Sequence, residues 1–297
     1  MKILDGKLTS QKILESLQAD VEKYKPCLAV ILIGNNPASA TYVKNKEKAC
    51  ERSGVNYKEF KFDDQVTQEE VLKTIDQINQ DSSIHGVITQ LPVPEHISVP
   101  LILKSIDPKK DVDGFTAYNM GKMVASVDFE DLPPATPGGM IRLLKEYNID
   151  VSGMNAVVIG RSNIVGKPIA TMLTNRGATV TVCHSRTKDI NFYTKNADII
   201  VAAVGRVNFV TADMVKDGAI ILDVGINRND EGKLCGDVDF ENVKDKCSFI
   251  TPVPGGVGPM TIAQLIVNTI NAAKKQQEVS TESFHSVESL VENLTSL

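Results

Sequence analysis

The chain has 297 residues, 42% of them hydrophobic and 23% charged, with a formal net charge of −5 at pH 7 and no Trp. That length exceeds the usual single domain and predicts two domains with a sizeable core. Lys and Arg are scattered among acids rather than gathered in a basic stripe with interleaved aromatics. This argues against a nucleic acid or an anionic membrane as partner and towards small-molecule chemistry. The five cysteines, Cys27, Cys50, Cys183, Cys235 and Cys247, are odd in number and include no C-x-x-C, so neither a disulfide framework nor a zinc site is expected. The first 25 residues carry Asp5, Asp20 and Glu22 but no Arg and no apolar signal core. No apolar run approaches the roughly 20 residues that span a bilayer. The expectation is a cytoplasmic protein.

In chain order, the first third alternates strand-like runs at 28–33, 55–62 and 86–90 with helical patterns at 37–53 and 67–80. After Gly34-Asn35-Asn36-Pro37 the chain should enter a helix, and Tyr42 and Lys46, four residues apart, should share one face of it. Thr67-Gln68-Glu69-Glu70 spells a capping box ahead of the apolar stripe Val71, Ile75, Ile78. A second α/β unit begins after Pro133-Pro134, where Thr136-Pro137-Gly138-Gly139 opens a helix ending near Tyr147. Four continuous apolar runs, 156–159, 179–183, 198–203 and 219–224, read as parallel strands covered on both faces. A helix over 260–273 is expected to pack back on the first domain. Beyond it, Lys274-Lys275-Gln276-Gln277-Glu278 reads as a polar joint, and Phe284, Val287, Leu290, Val291 and Leu294 as the stripe of one more surface helix covering its own subunit.

The fold class is therefore α/β with two domains: an N-terminal α/β catalytic domain at 1–134, with 260–297 packed back on it, and a Rossmann-like doubly wound parallel sheet at 135–259, with a cleft between them. Gly160-Arg161-Ser162-Asn163-Ile164-Val165-Gly166 sits between a strand and a helical pattern. Gly160 allows a tight turn, small Ser162 lets backbone approach a phosphate, and Gly166 lets the helix, with its N-terminus facing the anion, pack close. The spacing departs from G-x-G-x-x-G, and a purely structural glycine turn would look similar. The next strand ends in Cys183-His184-Ser185-Arg186-Thr187, without the acid that bonds the ribose of NAD. Arg161, with Ser185 as a second donor, suits a 2′-phosphate, which favours NADP; the other reading of Arg161 and Arg186 is ordinary solvated surface charge, which fits Arg186 better than Arg161 inside the loop.

Gln90 closes an apolar strand, where open α/β sheets place ligand groups; a strand-end residue facing water fits it equally well. Asp111 and Asp113 read either as site groups or as turn residues before Gly114. Two apart in extended chain, they should point to opposite sides, so at most one faces a given site. The segment from Thr251 through Pro252, Pro254, Gly255, Gly256 and Gly258 to Thr261 precedes a helix whose free amides could meet a ligand, although a domain-joining turn would look similar. His85, His96, His184 and His285 show no ligand spacing, so no metal site is expected.

Taken together, Gly34-Asn35-Asn36-Pro37-Ala38-Ser39 with Tyr42-Val43-Lys44-Asn45-Lys46, Gln90-Leu91-Pro92, Lys110-Asp111-Val112-Asp113-Gly114, the 160–166 loop and the 252–261 segment closely resemble the bifunctional methylenetetrahydrofolate dehydrogenase/cyclohydrolases. The resemblance runs from about Leu4 to Ala273, with several motifs in one order. It implies NADP-dependent oxidation of 5,10-methylenetetrahydrofolate to the methenyl cation and hydrolysis of that cation to 10-formyltetrahydrofolate, in one-carbon metabolism. By resemblance, Lys46 is the acid/base residue, Tyr42 packs on the folate ring system, Gln90 positions Lys46, and Asp113 binds the pterin. The Pro254-Gly255-Gly256 turn would shape the folate pocket, while Thr136, Gly160, Arg161, Ser162, Gly166, Ser185, Gly205, Ile226 and Thr261 would meet NADP. The resemblance also implies a homodimer through the nucleotide domain, and the tail beyond about Lys274 departs from the family's short C-terminus. Two other readings are an NADP dehydrogenase, acting on folate without useful cyclohydrolase activity or on another substrate, and a regulatory nucleotide-binding module that has lost catalysis. Against the module stands its lack of any reason to keep Tyr42, Lys46, Gln90 and Asp113 together.

Overall fold

The computed structural model describes the backbone of residues 1–295 and the side chains of residues 1–278 other than Ala38. In order come β1 (Lys2–Ile3), α1 (Gly6–Ser16), α2 (Gln18–Tyr24), β2 (Cys27–Ile33), α3 (Pro37–Ser53), β3 (Asn56–Phe62), α4 (Gln68–Gln80), β4 (Gly86–Thr89) and α5 (Val99–Ser105). Next are α6 (Ala117–Ala125), α7 (Ala135–Glu146), β5 (Asn155–Ile159), α8 (Gly166–Asn175), β6 (Thr179–Cys183), α9 (Ile190–Thr194), β7 (Ile199–Ala202) and β8 (Ile220–Asp223). The chain closes with β9 (Asn227–Arg228), β10 (Leu234–Cys235), α10 (Phe240–Val243), β11 (Phe249–Ile250) and α11 (Val257–Thr295).

Two compact units form, one from Met1–Glu15 with Ala117–Leu265, the other from Ser16–Thr116 with Ile266–Leu297. These crossings differ from the expected boundaries at 134/135 and 259/260, for identifiable reasons. β1 pairs in parallel with β11, which carries the N-terminus into the nucleotide-type sheet. Residues 117–134 join the same unit because Asn175 donates to the Met123 carbonyl at 2.7 Å and Arg176 forks onto Glu130 at 2.9 and 2.6 Å.

The first unit holds a six-stranded parallel sheet in the order β1-β11-β8-β7-β5-β6. Its four long strands are those expected. β1 and β11, two residues each, carry no periodic signal of their own. β7 and β8 are buried along their whole length, as continuous apolar runs under two covered faces should be. The chain order reverses at β5, with β6 on one side and β7 on the other, the topological switch beside which doubly wound sheets bind ligands.

In the second unit β2 lies between β3 and β4 in a parallel three-stranded sheet, all seven of its residues buried. The capping box forms as the sequence spelled it, with Glu70 N–H donating to Thr67 Oγ1 at 3.2 Å and Thr67 N–H to Glu70 Oε2 at 3.1 Å. Buried Lys110 donates to the carbonyls of Ile78 and Asp81, both at 2.8 Å, and so closes the C-terminal end of α4.

α11 is continuous through Lys274–Glu278, where the sequence suggested a joint. Lys, Gln and Glu are good helix formers, and neither Gly nor Pro interrupts the run after Pro259. Two of these polar residues anchor the helix within the second unit: Gln276 donates to the His85 carbonyl at 2.9 Å and Gln277 to that of Tyr24 at 2.9 Å. The side chains of Phe284, Val287, Leu290, Val291 and Leu294 lie outside the described residues. Among the described residues no helix is long and apolar enough to cross a membrane, and all five cysteines are free.

Candidate active site

Asn36 and Pro37 start α3. The Asn36 side chain accepts the Ser39 N–H at 3.2 Å, and proline's missing N–H costs nothing in the first turn. The helix buries Val43, Ala49, Cys50 and Ser53, which fixes its rotation and places half-buried Lys46 on the rim of that buried stripe. Tyr42, one turn earlier, is exposed at 39%.

Lys46 Nζ donates to Gln90 Oε1 at 2.8 Å. Gln90 is itself fixed: its N–H continues the β2 ladder to the Ile31 carbonyl at 2.9 Å, and its Nε2 donates to the Leu91 carbonyl at 2.7 Å. With the amide nitrogen engaged there, the oxygen is left to face the lysine. Burial lowers the Lys46 ammonium below the usual lysine value, against the opposing pull of Asp113. Burial also lifts the Asp113 carboxyl to about 6, partly offset by Lys46. Cys50, one turn beyond Lys46, is pushed up to about 12 by burial, which holds it as a neutral thiol.

The 111–113 segment is a turn rather than the expected extended chain, with Val112 N–H donating to the Lys110 carbonyl at 2.9 Å and Gly114 N–H to that of Asp111 at 3.3 Å. Asp111 is fully buried and accepts the N–H groups of Phe115 and Thr116 at 3.2 and 2.8 Å, the turn-forming role. Asp113 interacts electrostatically with Lys46 and with Asp111.

In the first unit the 160–166 turn is as tight as its glycines allow. Gly160 has φ 122°, and a Cβ there would lie 2.2 Å from the Ala203 carbonyl oxygen; a Cβ on Gly166 would lie 2.2 Å from the Gly160 oxygen. Ser162 does more than stay small. Its Oγ accepts the N–H groups of Val165 and Gly166 at 3.1 and 3.3 Å, and its carbonyl accepts that of Lys167 at 3.0 Å. Much of the amide field expected at the N-terminus of α8 is therefore satisfied internally. The exposed side chains of Arg161, Ser162 and Ser185 are left to meet an anion. Gly205 follows β7 with φ 66° and no atom within 4 Å of where a Cβ would stand; Ile226, after β8, is 52% exposed. The hydroxyls of Thr136 and Thr261, 125 positions apart in sequence, are hydrogen bonded at 3.1 Å.

The Pro254-Gly255-Gly256 turn lies between β11 and α11, in the first unit, whereas Lys46, Gln90 and Asp113 gather in the second. The turn packs on the start of α1, with Lys7 N–H donating to the Gly255 carbonyl at 2.9 Å. Sequence reasoning missed Asp223 and Asp237, buried acids beside the ends of β8 and β7. The signal was present in Asp223, an acid closing an apolar strand just before Gly225. Among the described residues no group of three His, Cys, Asp or Glu side chains could hold a metal ion.

A dinucleotide fits these residues. Gly160 and Gly166 let the turn close tightly on the Ala203 and Gly160 carbonyls, where no side chain has room, and beside it stand the exposed side chains of Arg161 and Ser185, with no acid at the end of β6.

Residues 4–113 match the model of the tetrahydrofolate dehydrogenase/cyclohydrolase catalytic domain, and residues 134–277 that of the same family's NAD(P)-binding domain. The bifunctional protein FolD of Campylobacter concisus is 56% identical over 279 residues, 92% of this chain and 98% of that one. The crystal structure of bifunctional FolD from Campylobacter jejuni superposes with a TM-score of 0.90 at 52% identity, over 93% of this chain and 99% of that one. The Trypanosoma brucei FolD structure, complexed with NADP cofactor and inhibitor, gives a TM-score of 0.88 at 33% identity, over 92% and 97%. On the fold, the site and these likenesses together, the chain belongs to the tetrahydrofolate dehydrogenase/cyclohydrolase family.

Proposed function

We propose that this chain catalyses NADP-dependent oxidation of 5,10-methylenetetrahydrofolate to 5,10-methenyltetrahydrofolate and hydrolysis of that product to 10-formyltetrahydrofolate. The observation that carries the reading is the 2.8 Å bond from Lys46 Nζ to an immobilised Gln90, beside Asp113, in a chain of this family. Bound NADP would supply the hydride acceptor. Arg161, Ser162 and Ser185 would hold its phosphates, and the backbone of Thr136, Gly160, Gly166, Gly205, Ile226 and Thr261 would line its path. Oxidation needs mainly orientation, because the lone pairs of the two folate nitrogens drive hydride departure.

Hydrolysis needs proton transfer. Water adds to the methenyl carbon, a proton leaves it, and the bond to the ring nitrogen breaks as that nitrogen takes a proton. Lys46, lowered by burial, takes the first proton at Nζ and returns one as the ammonium. Gln90 Oε1 directs Nζ, Tyr42 offers an aromatic face one turn away, and Asp113 accepts from the pterin's N–H groups. Pro254, Gly255 and Gly256 complete the folate contacts. In functional terms 1–134 is the folate segment and 135–259 the NADP segment, a division supported by family-model matches at 4–113 and 134–277.

The protein acts as a cytoplasmic homodimer through its nucleotide unit. Supporting this are the position of β6 at a sheet edge and the exposed apolar side chains Tyr118, Val124, Val127 and Phe129 in the same unit. Sedimentation at micromolar concentration should give twice the chain mass.

The test is an absorbance assay with methylenetetrahydrofolate and NADP, followed by methenyltetrahydrofolate without nucleotide. NADPH formation and enzymatic decay of the methenyl band support both activities. Persistence of the methenyl species at its buffer rate leaves a dehydrogenase only, and silence in both assays returns the chain to a regulatory role.

A further inference from the structure

We propose that Asp237 is a positioning residue that fixes the cofactor-facing loops after β7 and β8; the inference rests on the NADP reading above. Asp237 is fully buried and its carboxylate collects four donors. Oδ2 accepts the N–H groups of Val204 and Gly205 at 2.6 and 3.0 Å, while Oδ1 accepts Arg206 N–H and Asn227 Nδ2, both at 2.8 Å. Three successive amides converging on one anion form the nest that turns elsewhere present to a phosphate. Here the protein fills the nest with its own carboxylate and thereby fixes the backbone through Gly205. The fourth donor, Asn227, adjoins Ile226, so one side chain ties together the loops that follow two neighbouring parallel strands at their carboxyl ends.

A second carboxylate holds the first in place. Asp223 Oδ1 accepts the N–H groups of Gly225 and Asp237 at 2.9 Å each, and Oδ2 that of Val238 at 2.9 Å. Glycines make the room: a Cβ on Gly236 would lie 1.8 Å from Asp223 Oδ2, and one on Gly225 would lie 2.4 Å from Asp237 Oδ1. The donors are neutral amides, so the carboxylates are held by direction rather than by a counter-charge. Such an arrangement sets geometry.

Asp237→Asn tests this with almost no change in volume. Each carboxylate oxygen serves two donors, so whichever way the asparagine amide turns, its nitrogen confronts two N–H groups. The expected result is a Kd for NADP raised at least about tenfold. Nucleotide-free hydrolysis of methenyltetrahydrofolate, which uses Lys46 in the other unit, should stay within about twofold of wild type, since none of the four groups bonded to Asp237 is Lys46, Gln90 or Asp113. Unchanged NADP affinity overturns the proposal. So does a parallel fall of NADP binding and hydrolysis, which marks a purely structural acid. Should the variant not fold, Asn227→Ala removes a single half-buried donor and should weaken NADP about threefold; no change there also overturns it. Wild-type protein that fails to bind NADP would bring down the cofactor reading itself, and that is seen before any variant is made.

Discussion

Lys46 and Gln90, 44 positions apart in sequence, meet at 2.8 Å because α3 packs on the sheet whose strand β4 ends one residue before Gln90. The contact pairs a cation made reluctant by burial with a neutral acceptor that cannot turn away. A carboxylate in the place of Gln90 would hold the ammonium charged. An amide orients Nζ while leaving it able to release its proton.

Lys46→Met should reduce hydrolysis of methenyltetrahydrofolate to near its buffer rate, a loss of about 10²-fold or more. Gln90→Ala should lower it less, since the lysine stays but is no longer aimed. Stopped-flow decay of the methenyl band reads both, and near-normal hydrolysis by the methionine variant would remove Lys46 from the acid/base role.

The Asp113 carboxylate raises the Lys46 pKa, so removing its charge in Asp113→Asn should let burial act unopposed and lower the lysine further. The ascending limb of the hydrolysis pH profile, where it reports neutral Lys46, should then move to lower pH. A limb that stays in place or moves up would show that the two groups do not couple.

Gly160→Ala combines a φ of 122° with a Cβ 2.2 Å from the Ala203 oxygen. Strain of that kind costs about 2 kcal/mol, and relieving it must shift the cofactor turn. Chemical denaturation should show the loss of stability and equilibrium titration a parallel loss of NADP affinity.

Arg161→Ala should erode preference for NADP over NAD rather than binding of either in general. The ratio of kcat/KM values is expected to fall about tenfold, the loss of a charge-assisted phosphate contact. An unchanged ratio would place the 2′-phosphate elsewhere.

His85 is buried, and its Nδ1 accepts the Cys27 N–H at 3.1 Å. Burial first, and the neighbouring Lys110 charge second, lower its pKa. A histidine held neutral in the fold binds its proton more readily unfolded. Its contribution is therefore complete above the unfolded value of about 6.5 and is lost as pH falls below it. Unfolding free energies from pH 8 to 5 should decline more steeply in wild type than in His85→Gln, which keeps an acceptor that does not titrate. The hydrogen bond at stake is worth about 1 kcal/mol.

Much of this protein was legible in local sequence. The continuous apolar runs became parallel strands, the capping box formed, and Tyr42 and Lys46 fell one turn apart on α3. Those features depend on neighbours within a few residues, where propensity and periodicity act. Tertiary structure alone decided the rest. It added β1 and β11 to the sheet and gathered Asp223, Asp237 and Asn227 beneath two loops. A two-residue strand or a buried carboxylate carries no periodic mark. Its place is set by which distant backbone amides are left needing a partner once the layers have packed.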